Sequence, residues 1–305
     1  METPLYPTNR NSTPANILHG YLKIATDRKI RFALTYPERK KTKGTVVILE
    51  SYRNTLEEYF LLMNELSIRG FHTAIFDWFK QEKLPFNLKR QNKQYYFDIN
   101  NDINDLDKFL KKILYPDFPP PYYMLTYGIG GLIALSGLDL LNHQFNKMLC
   151  VSPLFAPLGN KTNGFQHKLT QFLSDVGLGF LPAKGGKKFT QTKQKNKRLG
   201  QAHKATFFPI KPPTSQWISS VLNAIDSMKK NILHGHLKIP TLFILANQNN
   251  IANNIEVRQL CQQVRLTESI TITGAELDTI MYEESYKQQF WAAFDAFIST
   301  NLSMK

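Results

Sequence analysis

Residues 122–135 read YYMLTYGIGGLIAL, an apolar run, a glycine cluster and a second apolar run. The first run is short and aromatic-rich and suits a buried strand; the second suits a helix. Between them, Gly128, Ile129, Gly130 and Gly131 leave a turn with almost no side-chain bulk. Such a turn lets the backbone adopt strained angles and lets a helix pack close to a strand. The unit is strand, tight turn, helix, which is the building block of a parallel sheet.

Working outward, the same alternation continues in both directions. Residues 19–26 and 29–36 read as a hairpin turning at Asp27 and Arg28. Residues 44–50 (GTVVILE) form a short β-branched run, a strand buried on both faces. In residues 57–69, Tyr59, Leu62 and Leu66 recur at helical spacing and Gly70 ends the helix. Residues 71–78 are a strand. In residues 102–114, Ile103, Leu106, Phe109, Leu110 and Ile113 share one helical face. Strands are predicted at 122–126, 147–152, 240–246 and 269–273, and helices at 132–141 and 286–301. This is an α/β chain with a mostly parallel sheet and helices on both faces, one domain over residues 1–305.

Composition narrows the function classes. Hydrophobic residues make up 42% of 305, enough to bury a sizeable core. Two cysteines, Cys150 and Cys261, exclude a disulfide scaffold and a four-cysteine zinc module. Residues 1–31 carry Glu2, Arg10, Asp27, Arg28 and Lys29 and lack the apolar core of a signal peptide. The longest uncharged stretch, 118–138, is broken by proline and glycine and suits strand, turn and helix rather than a membrane span. A cytoplasmic protein is expected. The net charge of +14 favours anionic surfaces. Residues 176–225 contain no Asp or Glu but nine Lys and Arg, an insertion between sheet units.

The strand–turn–helix unit is also the frame in which G-x-S-x-G lifts a nucleophilic serine to the top of a sheet. Here Thr126, Tyr127, Gly128, Ile129 and Gly130 hold the five positions, and Gly128 stands at the serine. On these residues the chain resembles the bacterial lysophospholipase and monoacylglycerol-lipase-like α/β-hydrolases, in their serine aminopeptidase-like branch, over nearly its whole length. The opening ETPLYP is similar to that family's E-T-P-x-N-P. Residues 44–60 align with the strand and loop that supply an oxyanion-hole amide. GFHTAIFDWFKQ (70–81) is similar to R-G-F-x-V-x-x-F-D-W-R-G-Q-G, with Phe79 and Lys80 in place of Arg-Gly and Glu82 in place of the later glycine.

The resemblance implies an α/β-hydrolase fold with a lid over residues 154–232, whose last helix matches 214–230. It also implies a Ser–Asp–His triad, and this chain departs from it three times. The positions read Gly128, Asn249 (before Asn250-Ile251-Ala252) and Leu277 (in Gly274-Ala275-Glu276-Leu277-Asp278). A glycine has no nucleophile and a leucine cannot shuttle a proton. The implied protein is a pseudoenzyme that keeps a lipid site. Ser51 and Ile129 would offer oxyanion-hole-like amides, with Tyr52, Tyr127 and Asp278 as pocket candidates. Expected ligands are a lysophospholipid, a monoacylglycerol or a fatty acid, with no metal and no cofactor.

Two alternatives stand beside this. The first is an active esterase with relocated residues: Ser51 is a candidate nucleophile, and Glu276 or Asp278 could act as a weak base, though no serine is placed to use that carboxylate. The second is a basic surface module. Phe180, Leu181, Phe189, Phe207 and Phe208 could insert at the inner face of an anionic membrane. Nucleic acid is disfavoured, because no recognised nucleic-acid motif accompanies the basic stretch. His234-Gly235-His236 reads as a loop rather than a metal pair, since no Cys or carboxylate cluster stands beside it. The sequence sets no oligomeric state.

Overall fold

Thr45–Leu49 (TVVIL) is buried at every residue, as are Lys147–Val151 and Thr241–Ala246. A strand covered on both faces has no solvent side, so its sequence is an unbroken apolar run. Successive side chains still divide between the two faces. Val46 and Ile48 join one apolar cluster, and Val47 and Leu49 join the other. The computed structural model describes residues 5, 11–26, 28–38, 41–51, 54–78, 98–155, 215–248, 254–277 and 279–299.

Eight strands form one sheet: β1 (Ile17–Ala25), β2 (Arg28–Thr35), β3 (Thr45–Leu49), β4 (His72–Phe76), β5 (Tyr122–Tyr127), β6 (Lys147–Val151), β7 (Thr241–Ala246) and β8 (Thr267–Ile272). Their order is β1-β2-β4-β3-β5-β6-β7-β8. The β1–β2 hairpin and the β2–β4 pair are antiparallel, and the other five pairs are parallel. Six strands precede residues 156–214 and two follow.

Helices cover both faces. Ile99–Phe109, Ile129–Ser136, Ser215–Leu233 and Asn254–Gln263 pack on the face of Val47 and Leu49, and Phe60–Ile68 and Glu284–Ser299 on the other. In Ser215–Leu233 the buried Trp217, Val221, Ala224, Ile225, Met228 and Ile232 mark one stripe. None of the described helices is long and apolar enough to cross a membrane. The expected lid, 154–232, falls mostly outside the described residues.

Three boundaries differ from the sequence pattern for local reasons. The helix predicted from residue 102 begins at Ile99, because the Asp98 carboxylate accepts the N–H groups of Asn100 and Asn101 at 3.1 and 3.3 Å. The helix predicted over 132–141 begins at Ile129 and stops at Gly137, with Leu138–Leu141 a separate turn. Asn254–Gln263 is a helix where the pattern places only Cys261 on one.

Candidate functional site at the strand–helix elbow

Parallel strands end together, so the C-terminal ends of β3, β5 and β6 meet at one edge of the sheet, where open α/β sheets bind ligands. The turn after β5 lies there. Gly128 has φ +52° and ψ −113°, backbone that an L side chain rarely adopts. Its N–H donates to the Val151 carbonyl at 3.1 Å, and its carbonyl accepts from Leu154 at 2.9 Å and Gly131 at 3.2 Å. Both sides of the elbow are thus tied to β6 and the residues after it. The next two glycines are needed for contact. A Cβ on Gly130 would lie 2.5 Å from the Leu49 carbonyl oxygen, and one on Gly131 would lie 2.6 Å from Pro153 Cβ. The helix sits on β3 with no room for a methyl.

Three residues singled out in the sequence converge here. A Cβ on Gly128 would lie 2.8 Å from Ser51 Oγ, 3.4 Å from Ser51 Cβ and 3.6 Å from Leu277 Cδ2. The elbow is therefore faced by a hydroxyl and a leucine methyl. Ile129 opens the helix, so its N–H has no helical carbonyl to bond. Tyr52, Asn249 and Asp278 lie outside the described residues.

The Ser51 amide, expected as an oxyanion-type donor, is already engaged. The Ser51 N–H donates to Tyr59 Oη at 2.9 Å, so that amide already has an acceptor. Tyr59 reaches back because a 3-10 turn, Leu56–Tyr59, follows the loop. Its ring packs edge-on to Tyr127, with centroids 5.2 Å apart. Tyr127 is buried and its Oη has no hydrogen-bond partner among the described residues. Burial holds both phenols well above their ordinary range, so both stay protonated.

Behind the loop lies a buried charge cluster absent from the sequence reading. Arg31 on β2 is paired with Glu57 through two bonds, 2.8 and 3.1 Å, and its Nε donates to Asp77 Oδ2 at 2.6 Å. Asp77 Oδ1 accepts the Leu56 N–H at 2.7 Å. Glu50 Oε1 accepts the Trp78 N–H at 3.4 Å, and Oε2 has no partner among the described residues. Among the described residues one guanidinium is bonded to two of these three buried carboxyls, and ionising all three beside it would leave a net charge of −2. Burial and then the Asp77 charge push Glu50 well above its ordinary range, which favours its neutral form. Burial likewise raises Asp77, to about 7, against the pull of Arg31. Burial would raise Glu57 too, but its two bonds to Arg31 bring it below the ordinary range. The available signal was Glu50 itself, a carboxylate closing a wholly apolar strand.

Other candidates resolve into structure. Gly235, at φ +80°, ends the Ser215–Leu233 helix, with the His236 N–H closing onto the Asn231 carbonyl at 3.1 Å. His236 and its neighbour Asp139 are exposed. Among the described residues no group of three His, Cys, Asp or Glu could hold a metal ion. Cys150 is buried, and burial pushes its thiol up to about 12, which makes it a core group rather than a nucleophile.

The family described as "Serine aminopeptidase, S33" matches residues 40–275, a span that includes β3, the elbow and β8. No curated protein sequence matches the chain significantly. Similar solved structures include a monoacylglycerol lipase of Paleococcus ferrophilus, at 16% identity and TM-score 0.69, covering 88% of this chain and 98% of that one. A soluble variant of monoglyceride lipase from Saccharomyces cerevisiae is similar at 14% identity and TM-score 0.69, covering 97% and 98%. A thermostable carboxyl esterase from Bacillus coagulans is similar at 12% identity and TM-score 0.70, covering 93% and 98%. At these identities the likeness is one of fold, and that fold is the α/β-hydrolase. With its family matched across most of its length and its sheet built in that manner, the chain belongs to the serine aminopeptidase family of α/β-hydrolases.

Proposed function

We propose that this protein is a family member that binds a monoacyl lipid and has lost acyl transfer. Gly128, Asn249 and Leu277 stand, on this reading, at the nucleophile, acid and base positions. The observation that carries it is the surroundings of Gly128. The nearest side-chain atoms to a Cβ there belong to Ser51 and Leu277, and none can take a proton as an imidazole would. Removing the serine or histidine of a triad costs about 10⁶ in kcat, leaving roughly 10³–10⁴ over water from binding and the oxyanion hole. Asparagine at the acid position would favour the wrong tautomer of any histidine supplied. The lipase and esterase neighbours support a lipid or ester as the ligand class. Residues 154–232, strongly basic, would form the cover and bring the protein to anionic membrane.

A second reading has one observation in its favour. Ser51 Oγ lies where a side chain on residue 128 would project, so a displaced nucleophile is geometrically conceivable. One assay separates the two. Fatty-acid release from lysophosphatidylcholine is measured with a fluorophosphonate label run alongside. The binding reading expects neither release nor label. Saturable release that disappears in Ser51→Ala, with an adduct mapped to Ser51, would establish the second reading instead. Salt-dependent association with vesicles containing phosphatidylserine would support the membrane role of the basic segment, and salt-independent association would oppose it.

A further inference from the structure

Ser51 brings two donors to the elbow, an amide and a hydroxyl, and the fold uses them differently. The amide is taken by Tyr59 Oη at 2.9 Å, and the Ser51 carbonyl accepts the Asn54 N–H at 2.9 Å. The Asn54 side chain donates to the same Tyr59 oxygen at 3.3 Å. Tyr59 is buried and held against Tyr127. The Ser51 backbone is therefore fixed from both sides before any ligand arrives. Its hydroxyl is left over. It has no hydrogen-bond partner among the described residues, and the residue is half-buried rather than sealed. It faces the space that Gly128 leaves by lacking a side chain, opposite Leu277 Cδ2.

We infer that the Ser51 hydroxyl is a ligand-contacting group that donates a hydrogen bond to the acyl oxygen of a monoacyl lipid seated against Gly128. The inference rests on the binding reading above and adds to it the polar contact and the ligand atom. A group lodged between a hydroxyl and a leucine methyl must present one polar atom beside an apolar chain, and an acyl carbonyl does so. A carboxylic acid and a glyceryl ester share that carbonyl. Among the described residues no base is bonded to the hydroxyl, so on the binding reading the contact binds and orients the ligand without activating Ser51. Preorganisation by Tyr59 and Asn54 means that little ordering is required when the ligand binds.

Titration calorimetry with oleic acid, 1-monooleoylglycerol and the ether 1-O-oleylglycerol, on wild type and Ser51→Ala, tests it. The ether keeps the chain and headgroup but has no carbonyl. Ser51→Ala is expected to weaken the acid, the ester or both by about three- to tenfold, the range of one net hydrogen bond, and to leave the ether unchanged. Which acyl ligand binds wild type more tightly then identifies the source of the carbonyl. An equal loss for ester and ether would mean a packing effect and would overturn the inference, as would no loss at all; in both cases the binding reading survives. If wild type binds none of the three lipids, the binding reading itself falls and takes the inference with it.

Discussion

Gly128→Ser adds a side chain where the backbone sits at φ +52° and ψ −113°. The left-handed region costs an L residue about 1–2 kcal/mol. The new Cβ would also lie 2.8 Å from Ser51 Oγ, closer than real Cβ contacts allow, so the hydroxyl must rotate or the loop must shift. Overpacking of this kind costs about 1–3 kcal/mol. The single variant should therefore lose about 2–5 kcal/mol in urea unfolding at pH 7. Ser51→Ala removes the Oγ and leaves a Cβ at 3.4 Å, an ordinary contact. In the double variant the overlap disappears and only the backbone strain remains. The two substitutions should be coupled by at least about 1 kcal/mol, with the second relieving the first. Additivity within about 0.5 kcal/mol, as for independent sites, would show that the Ser51 hydroxyl swings away from the new Cβ at little cost and would refute the steric link between positions 128 and 51. The same steric argument bears on catalysis. Gly128→Ser with Asn249→Asp and Leu277→His should yield measurable p-nitrophenyl butyrate hydrolysis, and more of it when Ser51→Ala is added. Activity that falls on adding Ser51→Ala would contradict the crowding argument.

Glu50 binds its proton more tightly in the folded than in the unfolded chain, because of burial and then Asp77, so its share of stability falls as pH rises from its ordinary value near 4.5. Asp77, raised by burial to about 7, acts in the same direction between 3.8 and about 7. Glu50→Gln should match wild type at pH 5 and exceed it at pH 8 in urea unfolding; parallel curves at the two pH values would exclude a buried neutral acid at this position. Arg31→Met removes the guanidinium bonded to Asp77 and Glu57 and should cost about 3–5 kcal/mol, partly recovered by adding Asp77→Asn, again read from urea midpoints. Gly131→Ala, whose methyl would meet Pro153 Cβ at 2.6 Å, should lose about 3 kcal/mol or more. Gly137→Ala, with φ −95° and contacts no closer than 3.4 Å, should stay within about 1 kcal/mol of wild type. Equal melting shifts for these two glycine variants would undercut the packing argument.

The parallel strands were legible because burial on both faces writes itself as contiguous apolar residues, as in Thr45–Leu49 and Thr241–Ala246. The elbow was legible because close packing demands glycine at 130 and 131 whatever the chemistry. The Ser51–Tyr59 bond was not. It depends on a single 3-10 turn that brings Tyr59 back over the loop, and no period announces such a turn. The Arg31 cluster was hidden for a different reason: its partners are separated by 26 and 46 residues and meet only because β2 pairs with β4. The start at Ile99 was missed because Asn100 and Asn101 look like loop, and only the cap at Asp98 reveals a first turn.

Packing and chemistry place separable demands on this elbow. Gly130 is held by the Leu49 and Glu50 carbonyl oxygens, and Gly131 by Pro153, so a change at either would displace the helix from β3. Position 128 carries no such constraint. Its backbone conformation is fixed by bonds to Val151, Leu154 and Gly131 that use only main-chain atoms. A side chain there adds strain and nothing to the fold, and it persists only where its chemistry compensates. Once acyl transfer is no longer required, glycine is the residue that relaxes the turn, and Ser51 Oγ can then approach the vacated space. On the proposed reading, the glycine at the nucleophile position 128 and the hydroxyl at 51 are then linked by one steric relation, which the coupling between Gly128→Ser and Ser51→Ala measures directly.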